Sequence, residues 1–230
     1  MPDDLLAHPG WAILGSLQAL AGVMRILHAN THELITWLDR TDDPAVLLTV
    51  WNASEPKQLD DYLDETERLL FNSLASAHAR VDFYRAVNNR GQIDGPLRTD
   101  YQRRVELFRD NPLHNWFMGS RNFMLHHRLP ILRGNLEIRG LNSDSTSMKS
   151  SVLIDATPML VSSAFNSVAK AWMSADKTIV LRESVVSYLQ LLDSFDGWFG
   201  PAFTAHHLEA CESFLAARER LAVRTRAPGH

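Results

Sequence analysis

The sequence predicts a mostly α-helical protein, a helical bundle with a small β-hairpin insertion over about residues 135–155. Two observations support this prediction. Apolar residues recur at spacings of three and four along most of the chain, which places them on one face of a helix. Turn-forming residues, mainly Asn, Gly and Pro, interrupt the pattern at intervals, so the periodic segments divide into successive helices.

Two long helices are predicted in the first half of the chain. The first runs from Trp11 to Leu38 and ends before a Thr-Asp-Asp-Pro sequence. The second runs from Lys57 to Val87, with Ser54 as its expected N-cap and Pro56 suited to its first turn. Residues 45–51 lie between them and are apolar almost throughout, which leaves open whether they form a helix or a strand.

Two shorter helices follow, from Leu97 to Phe108 and from Leu113 to Arg128. Residues 110–112, Asp-Asn-Pro, separate them, because proline is disfavoured inside a helix but well placed in its first turn. Pro130 and Gly134 are expected to end the second of these helices. That helix contains the residues with the clearest potential for chemistry.

The remainder of the chain is predicted to return to helix after the hairpin. Short β-type segments near residues 136–138 and 152–154 flank a polar, turn-rich stretch, which is typical of a hairpin. Three further helices are expected, at residues 158–174, 178–195 and 202–221. Together these elements predict one helical domain over residues 1–221, followed by a disordered tail over residues 222–230.

Composition indicates a globular protein of a reducing compartment. Charged residues make up 22% of the 230 residues, as in ordinary folded domains. The single cysteine, Cys211, excludes an intrachain disulfide. The N-terminus is acidic where a secretory signal would be basic. Gln18 and Arg25 interrupt the most apolar stretch, so we expect a core helix there, no membrane span and a cytoplasmic location.

Three polar residues of the helix predicted at 113–128 stand out, namely Arg121, Asn122 and His126. An α-helix advances about 100° per residue, so Asn122 and His126 are neighbours on one face, one turn apart. Arg121 lies at the edge of that face and can reach the same point through its length. His127 and Arg128 add further donors beside them.

These side chains suit RNA cleavage without a metal ion. In that reaction the ribose 2′-hydroxyl attacks the adjacent phosphorus. Histidine titrates near neutral pH and can move the proton. Arginine can hold phosphate oxygens through paired hydrogen bonds and stabilise the charge of the transition state. Asparagine can orient either partner. The overall net charge of −4 gives no argument for RNA binding, so contacts must come from a local basic patch.

The stretch at residues 120–130, Ser-Arg-Asn-Phe-Met-Leu-His-His-Arg-Leu-Pro, resembles the signature of the HEPN superfamily. In that signature an Arg precedes a polar residue, and a His follows after four to six intervening residues. Here four residues separate Arg121 from His126, and Asn122 fills the polar position. The doubled histidine followed by Arg-Leu also looks like some abortive-infection members.

The resemblance implies an all-α bundle with ribonuclease activity, commonly in toxin–antitoxin or antiphage systems. Arg121 and His126 would then be catalytic and Asn122 a supporting polar residue. The resemblance also implies a homodimer in which two copies of the motif face each other. The resemblance further implies that an antitoxin or another protein could bind this chain. No cofactor is implied.

The same residues allow less specific interpretations. Arg121, Asn122 and His126 can form a polar network that satisfies the last carbonyls of a helix ending before Pro130. The helix can also belong to a non-catalytic interaction module that binds a protein or RNA partner. Candidate RNA-binding residues lie nearby in the sequence and share the capacity to bind phosphate. They are His127, Arg128, Arg103 and Arg104.

Metal binding is the weakest alternative. His28 and His32 lie one turn apart, which is the spacing of two metal ligands on a helix, but no further ligand set accompanies them. His206, His207 and Cys211 form a similar group, although a lone cysteine on a helix is more often a small core residue. The sequence therefore predicts no metal site.

Overall fold

A computed structural model describes residues 3–127, 129–140 and 147–226. Within these residues the protein is mostly helical with a small antiparallel sheet, which confirms the predicted fold class. The described α-helices are α1 Asp3–Leu6, α2 Pro9–Asp39, α3 Pro44–Val50, α4 Lys57–Asn89, α5 Gly95–Arg109, α6 Pro112–His126, α7 Thr157–Leu160, α8 Ser167–Ser174, α9 Leu181–His206 and α10 Leu208–Arg226.

Residues 45–51, for which the sequence allowed either a helix or a strand, lie mainly in the helix α3. Asp43 begins α3 because its carboxylate accepts a hydrogen bond from the N–H of Ala45 at 2.8 Å, and Pro44 suits the first turn. The start of α4 differs from the prediction in its cap. Its N-cap is Pro56, which has no side-chain acceptor, and Ser54 instead donates its own N–H to Asn52.

The predicted hairpin is present and begins earlier than expected. Strand β1, Ile131–Arg139, pairs antiparallel with β2, Ser147–Asp155, from Ile131 opposite Asp155 to Arg139 opposite Ser147. Residues 141–146 of the predicted turn lie outside the described residues. A third strand, β3 at Thr178–Val180, pairs with the other edge of β2 and was not predicted. It replaces the expected first turn of a helix.

Helix boundaries in the C-terminal part differ from the predictions in three places. The helix expected at 158–174 is two short ones, α7 and α8, and Asn166 caps the second by accepting a hydrogen bond from Ala169 N–H at 3.0 Å. Helix α9 continues through Pro201, where a break was expected. The last helix extends to Arg226, so residues 222–226 are helical; residues 227–230 lie outside the description.

The buried apolar side chains form two clusters. The larger cluster joins α2, α4, α6, α8, α9 and the sheet, and it contains Trp116, Phe117 and Tyr188. The smaller cluster lies towards the other end of α4 and α9 and is rich in aromatic rings, including Tyr84, Phe195 and Phe199. Both clusters run along the same two long helices, α4 and α9.

The long helix α2 supplies buried leucines such as Leu27 and Leu34 to the larger cluster. It is also the one helix of the described residues that is long and apolar enough to cross a bilayer. Within Pro9–Asp42, an 18-residue window has a mean hydropathy of 1.4, and 28% of that window is buried. Cys211 of α10 is buried in the smaller cluster.

Candidate functional site

Helix α6 carries the predicted motif. The side chain of Asn111 begins the helix by accepting a hydrogen bond from His114 N–H at 2.9 Å, and Pro112 follows in the first turn. One face of α6 is buried, including Trp116 and Phe123. The helix ends at His126 rather than at the predicted Arg128, because the backbone of His127 leaves the helical region.

The three motif residues lie on the accessible side of α6. Arg121 is half-buried, whereas Asn122 and His126 are exposed. Nη1 of Arg121 lies 3.5 Å from Oδ1 of Asn122, a long hydrogen bond in which the guanidinium donates. The structure thus brings Arg121 and Asn122 into contact and places His126 one turn beyond Asn122. None of the three is packed inside the core.

A fourth side chain near the motif comes from another helix. His78 of α4 donates from Nε2 to the carbonyl oxygen of Met118 at 3.0 Å, which ties α4 to the turn of α6 before Arg121. Burial lowers the pKa of His78, and the positive charge of Arg121 acts in the same direction. Sequence reasoning missed His78 because its proximity to α6 depends on the packing of two distant helices.

The candidate RNA-binding residues are distributed over separate places. His127 is exposed and its ring lies 5.6 Å from that of Phe123. Arg103 is exposed on α5, where it pairs with Asp100 at 2.9 Å. Arg104 stacks on Trp198 with its guanidinium carbon 4.4 Å from the ring centroid. Arg128 lies outside the described residues.

A cavity of about 350 Å³ lies between α4, α5, α6 and α9. Aromatic and aliphatic side chains form just over half of its lining, and three arginines, a histidine and an asparagine form the rest. Its lining residues are Arg80, Val81, Tyr84, Arg85, Tyr101, Val105, Phe108, Arg109, His114, Asn115, Met118 and Phe195. No local pattern in the sequence marks this cavity, because the residues come from four helices spread over the chain.

Arg80 lines this cavity and forms a buried ion pair with Asp196. Nε of Arg80 lies 3.0 and 2.9 Å from the two carboxylate oxygens of Asp196, and the Tyr84 hydroxyl donates to the same carboxylate. The Arg80 guanidinium also lies over the rings of Tyr84 and Phe195, at 4.7 and 5.2 Å. Burial opposes the charge of Arg80, but the Asp196 carboxylate outweighs it and raises the pKa of Arg80.

His114 lies beside this pair and is neutral at physiological pH. Burial, reinforced by the positive charge of Arg80, lowers the pKa of His114 to about 4. Nδ1 of His114 lies 3.0 Å from the hydroxyl oxygen of Tyr188, and burial raises the pKa of that hydroxyl. The imidazole is therefore held in place and can offer a ligand a neutral ring nitrogen.

The cavity and the motif occupy one side of α6. Taking 100° per residue, the positions of His114, Met118, Arg121 and Asn122 fall within about 100° of helix circumference. Met118 lines the cavity, and Arg121 follows it one turn later, about 4.5 Å along the helix axis. The cavity and Arg121 therefore lie on the same face of α6.

The groups considered for metal binding have other contacts. Nε2 of His28 lies 3.2 Å from Asp193, and His206 pairs with Asp94. His207 donates from Nε2 to the carbonyl oxygen of Gln92 at 2.8 Å. Over the described part of the chain, no three or more His, Cys, Asp or Glu side chains are grouped in a way that could hold a metal ion.

Comparison with known proteins gives no match for this chain among protein-family models, curated proteins or solved structures. Function must therefore be inferred from the residues and their geometry.

Proposed function

We propose that this protein is a metal-independent endoribonuclease of the HEPN kind, acting in defence or stress response. The observation that carries the proposal is the arrangement on α6. Arg121 and Asn122 are in hydrogen-bond contact, and His126 follows one turn later on the solvent-facing side. A phosphate group approaching this face can meet a cation, an amide and an imidazole together.

Each side chain has a defined role in the proposed reaction. Arg121 binds the oxygens of the scissile phosphate and stabilises the negative charge that grows as the 2′-hydroxyl attacks. His126 transfers a proton at the attacking or leaving oxygen. Asn122 accepts a hydrogen bond from Arg121 and so fixes the direction of the guanidinium. Attack by the 2′-oxygen expels the 5′-oxygen and leaves a 2′,3′-cyclic phosphate.

The reaction needs both a base and an acid, and one copy of the motif supplies one His126. Two chains related by a two-fold axis would place a second His126 across the same phosphate. Apolar side chains suited to such an interface surround the motif. Leu125 is 43% exposed, Leu129 52% and Ile131 40%. We therefore propose a homodimer with the C-terminal end of α6 at its interface.

The decisive experiment incubates the full chain with single-stranded and double-stranded RNA in EDTA. We expect cleavage that leaves 2′,3′-cyclic phosphate ends. Positioned proton transfer contributes about a hundredfold to ten-thousandfold in rate, so His126→Ala should lose at least that much. Arg121→Ala should lose a similar factor.

His127→Ala is the comparison variant, because it removes the adjacent exposed imidazole, a candidate RNA contact rather than the proton-transfer group, and should lose much less activity than His126→Ala. Circular dichroism of each variant checks that the fold is intact. If wild type cuts no RNA, or if His126→Ala cuts as fast as wild type, the nuclease proposal is wrong.

The second candidate function is a non-catalytic interaction module. The exposed apolar residues Leu125, Leu129 and Ile131 favour it, because such a patch is suited to a protein partner such as an antitoxin. The two candidates differ in one measurement. A module binds its partner through this face and cuts no RNA with or without His126, whereas a nuclease cuts RNA and loses turnover in His126→Ala.

A further inference from the structure

The cavity between α4, α5, α6 and α9 has the features of a nucleotide-binding pocket. We propose that it takes one unstacked nucleobase and that the phosphate attached to this nucleotide lies at the cavity mouth, between Arg85 and Arg109. The inference rests on the proposed function in one respect: the nucleotide is taken to be part of the RNA that the α6 motif cuts. The pocket would then select which base lies next to the scissile bond.

The walls suit a flat ring. Tyr84, Tyr101, Phe108 and Phe195 contribute aromatic surface, and Val105 and Met118 contribute aliphatic surface. Base stacking on aromatic side chains is a common means of holding single-stranded nucleic acid. A volume of about 350 Å³ is near the lower end for ligand cavities, so it fits a compact ring system rather than a long acyl chain.

Among the polar groups that line the cavity, His114 offers a partner for a base edge, whereas Asn115 does not. Asn115 is already engaged, because its Nδ2 donates to the carbonyl oxygens of Arg109 and Asn111 and its Oδ1 accepts from Asn166. His114 uses Nδ1 with Tyr188, so Nε2 is the nitrogen left for a ligand. Since the ring is neutral, it forms a hydrogen bond to a base without adding charge.

The mouth of the cavity is cationic and accessible. The side chains of Arg85 and Arg109 are 71% and 70% exposed. Each pairs with a carboxylate one turn earlier on its own helix, Asp82 at 3.3 Å and Glu106 at 3.4 Å. Exposed pairs of this kind contribute little, so a phosphate can replace the carboxylates as the partner of both guanidinium groups. Arg80 is different, because the buried Asp196 neutralises it.

The same contacts favour a nucleotide over an apolar ligand or an inorganic phosphate. A purely apolar ligand would use the walls but would gain nothing from Arg85 and Arg109. An inorganic phosphate would use the arginines but would gain nothing from the four rings. A nucleotide uses both, and the adjoining position of Arg121 on α6 gives the next phosphate of an RNA chain a place to bind.

The test is calorimetric titration of the full chain with adenosine 5′-monophosphate and uridine 5′-monophosphate. Ribose 5-phosphate, inorganic phosphate and decanoate serve as comparison ligands. We expect at least one nucleotide to bind at least tenfold more tightly than all three comparison ligands. Nucleotide binding that is no tighter than ribose 5-phosphate, or tighter binding of decanoate, overturns the inference.

Variants locate the binding to this cavity. Arg85→Gln combined with Arg109→Gln should weaken nucleotide binding at least tenfold. Arg68→Gln is the matched control, since Arg68 is also exposed on α4 and pairs with Glu65 three residues earlier, but does not line the cavity. Val105 is 40% exposed at the mouth, so Val105→Glu should repel the phosphate and weaken binding at least tenfold. Val105→Gln changes the same wall without adding charge, so it should weaken binding less than Val105→Glu does.

The same variants separate this inference from the nuclease proposal. If wild type binds a nucleotide through these residues but cuts no RNA, the pocket is a nucleotide site and the nuclease proposal fails alone. If wild type cuts RNA, while Val105→Glu and the double arginine variant cut the same sequences at the same rates, the pocket inference fails alone. If both hold, Val105→Glu should change the preferred base at the cleavage site.

Discussion

The guanidinium of Arg80 on α4 is hydrogen-bonded to the carboxylate of Asp196 on α9. Its Nε lies 3.0 Å from Oδ1 and 2.9 Å from Oδ2 of that carboxylate. The Arg80 side chain is 3% exposed and that of Asp196 10%. The pair therefore joins two long helices at the point where the larger core cluster meets the aromatic one. Removing one partner of the ion pair therefore measures how much the pair contributes to the free energy of unfolding.

We expect Asp196→Ala to lower the free energy of unfolding by about 3–5 kcal/mol, because it leaves a buried guanidinium without its partner. Asp193→Ala, in the preceding turn of α9, removes an exposed carboxylate and should cost less than about 1 kcal/mol. Urea unfolding measures both. Substituting both partners, Arg80→Met with Asp196→Leu, should recover most of the loss. An Asp196→Ala loss no larger than that of Asp193→Ala would contradict this account.

The depressed pKa of His114 predicts a particular pH dependence of stability. In the unfolded chain the imidazole takes up a proton near its ordinary pKa of 6.5, whereas in the folded protein it does so only near 4. Between these values the unfolded state binds more protons, so stability is full above about pH 6.5 and falls as the pH falls towards 4. The contribution is at most about 3.5 kcal/mol, at about 1.4 kcal/mol for each pKa unit.

His114→Gln separates this contribution from that of other titrating groups. Glutamine keeps a polar group that can reach the Tyr188 hydroxyl but has no proton to gain in this range. The loss of stability from pH 6.5 to 4.5 should be smaller in the variant than in wild type, as measured by urea unfolding at several pH values. Parallel curves for the two proteins would show that His114 is not the group responsible.

The contact between α2 and α10 depends on a glycine. A Cβ added to Gly10 would lie 2.1 Å from the carbonyl oxygen of Ala210 and 2.6 Å from Cβ of Phe214, so the helices would have to move apart. We expect Gly10→Ala to destabilise the protein by about 1–3 kcal/mol. Gly15→Ala is the same change on the same helix in open space, and there it should stabilise by up to about 1 kcal/mol. Thermal unfolding of the two variants should give shifts of opposite sign.

The proposed homodimer gives a prediction that does not require an RNA substrate. Leu125 is exposed one residue before His126, at the proposed interface. Light scattering at micromolar concentration should show a dimer for wild type and a monomer for Leu125→Asp, because a buried carboxylate at the interface is costly. Leu107→Asp is the control, since Leu107 is 69% exposed on α5 and is not part of the proposed interface. A wild-type monomer would contradict the composite site.

The regular helices were predictable because the apolar spacing and the capping residues that specify each helix lie within its own stretch of sequence. The apolar spacing along α2 and α4 marks both helices from the sequence alone, and Asn111-Pro112 marks the start of α6. The spacing of four residues between Asn122 and His126 likewise places both side chains on one face of a helix. Local reasoning succeeds there because neighbours on a helix are neighbours in the sequence.

The missed features depend on contacts between distant segments. Helix α9 continues past Gly197 and Pro201 because Phe195, Phe199 and Phe203, one turn apart, are all buried. Strand β3 forms because β2 offers a free edge to three residues. The cavity could not be predicted because its lining residues, from Arg80 on α4 to Phe195 on α9, come from four helices that are far apart in the sequence. Tertiary packing decided each of these cases.

The one thiol of the chain, Cys211, lies on α10 and is 7% exposed in the cluster that also contains Ile13 of α2. Burial raises its pKa, so the reactive thiolate is scarce as long as α10 stays in place. We therefore expect a thiol reagent to react slowly with the folded protein and faster whenever α10 separates from α2, so that the alkylation rate reports this opening. The chain thus contains its own single-site probe of opening at this helix, with no engineered label.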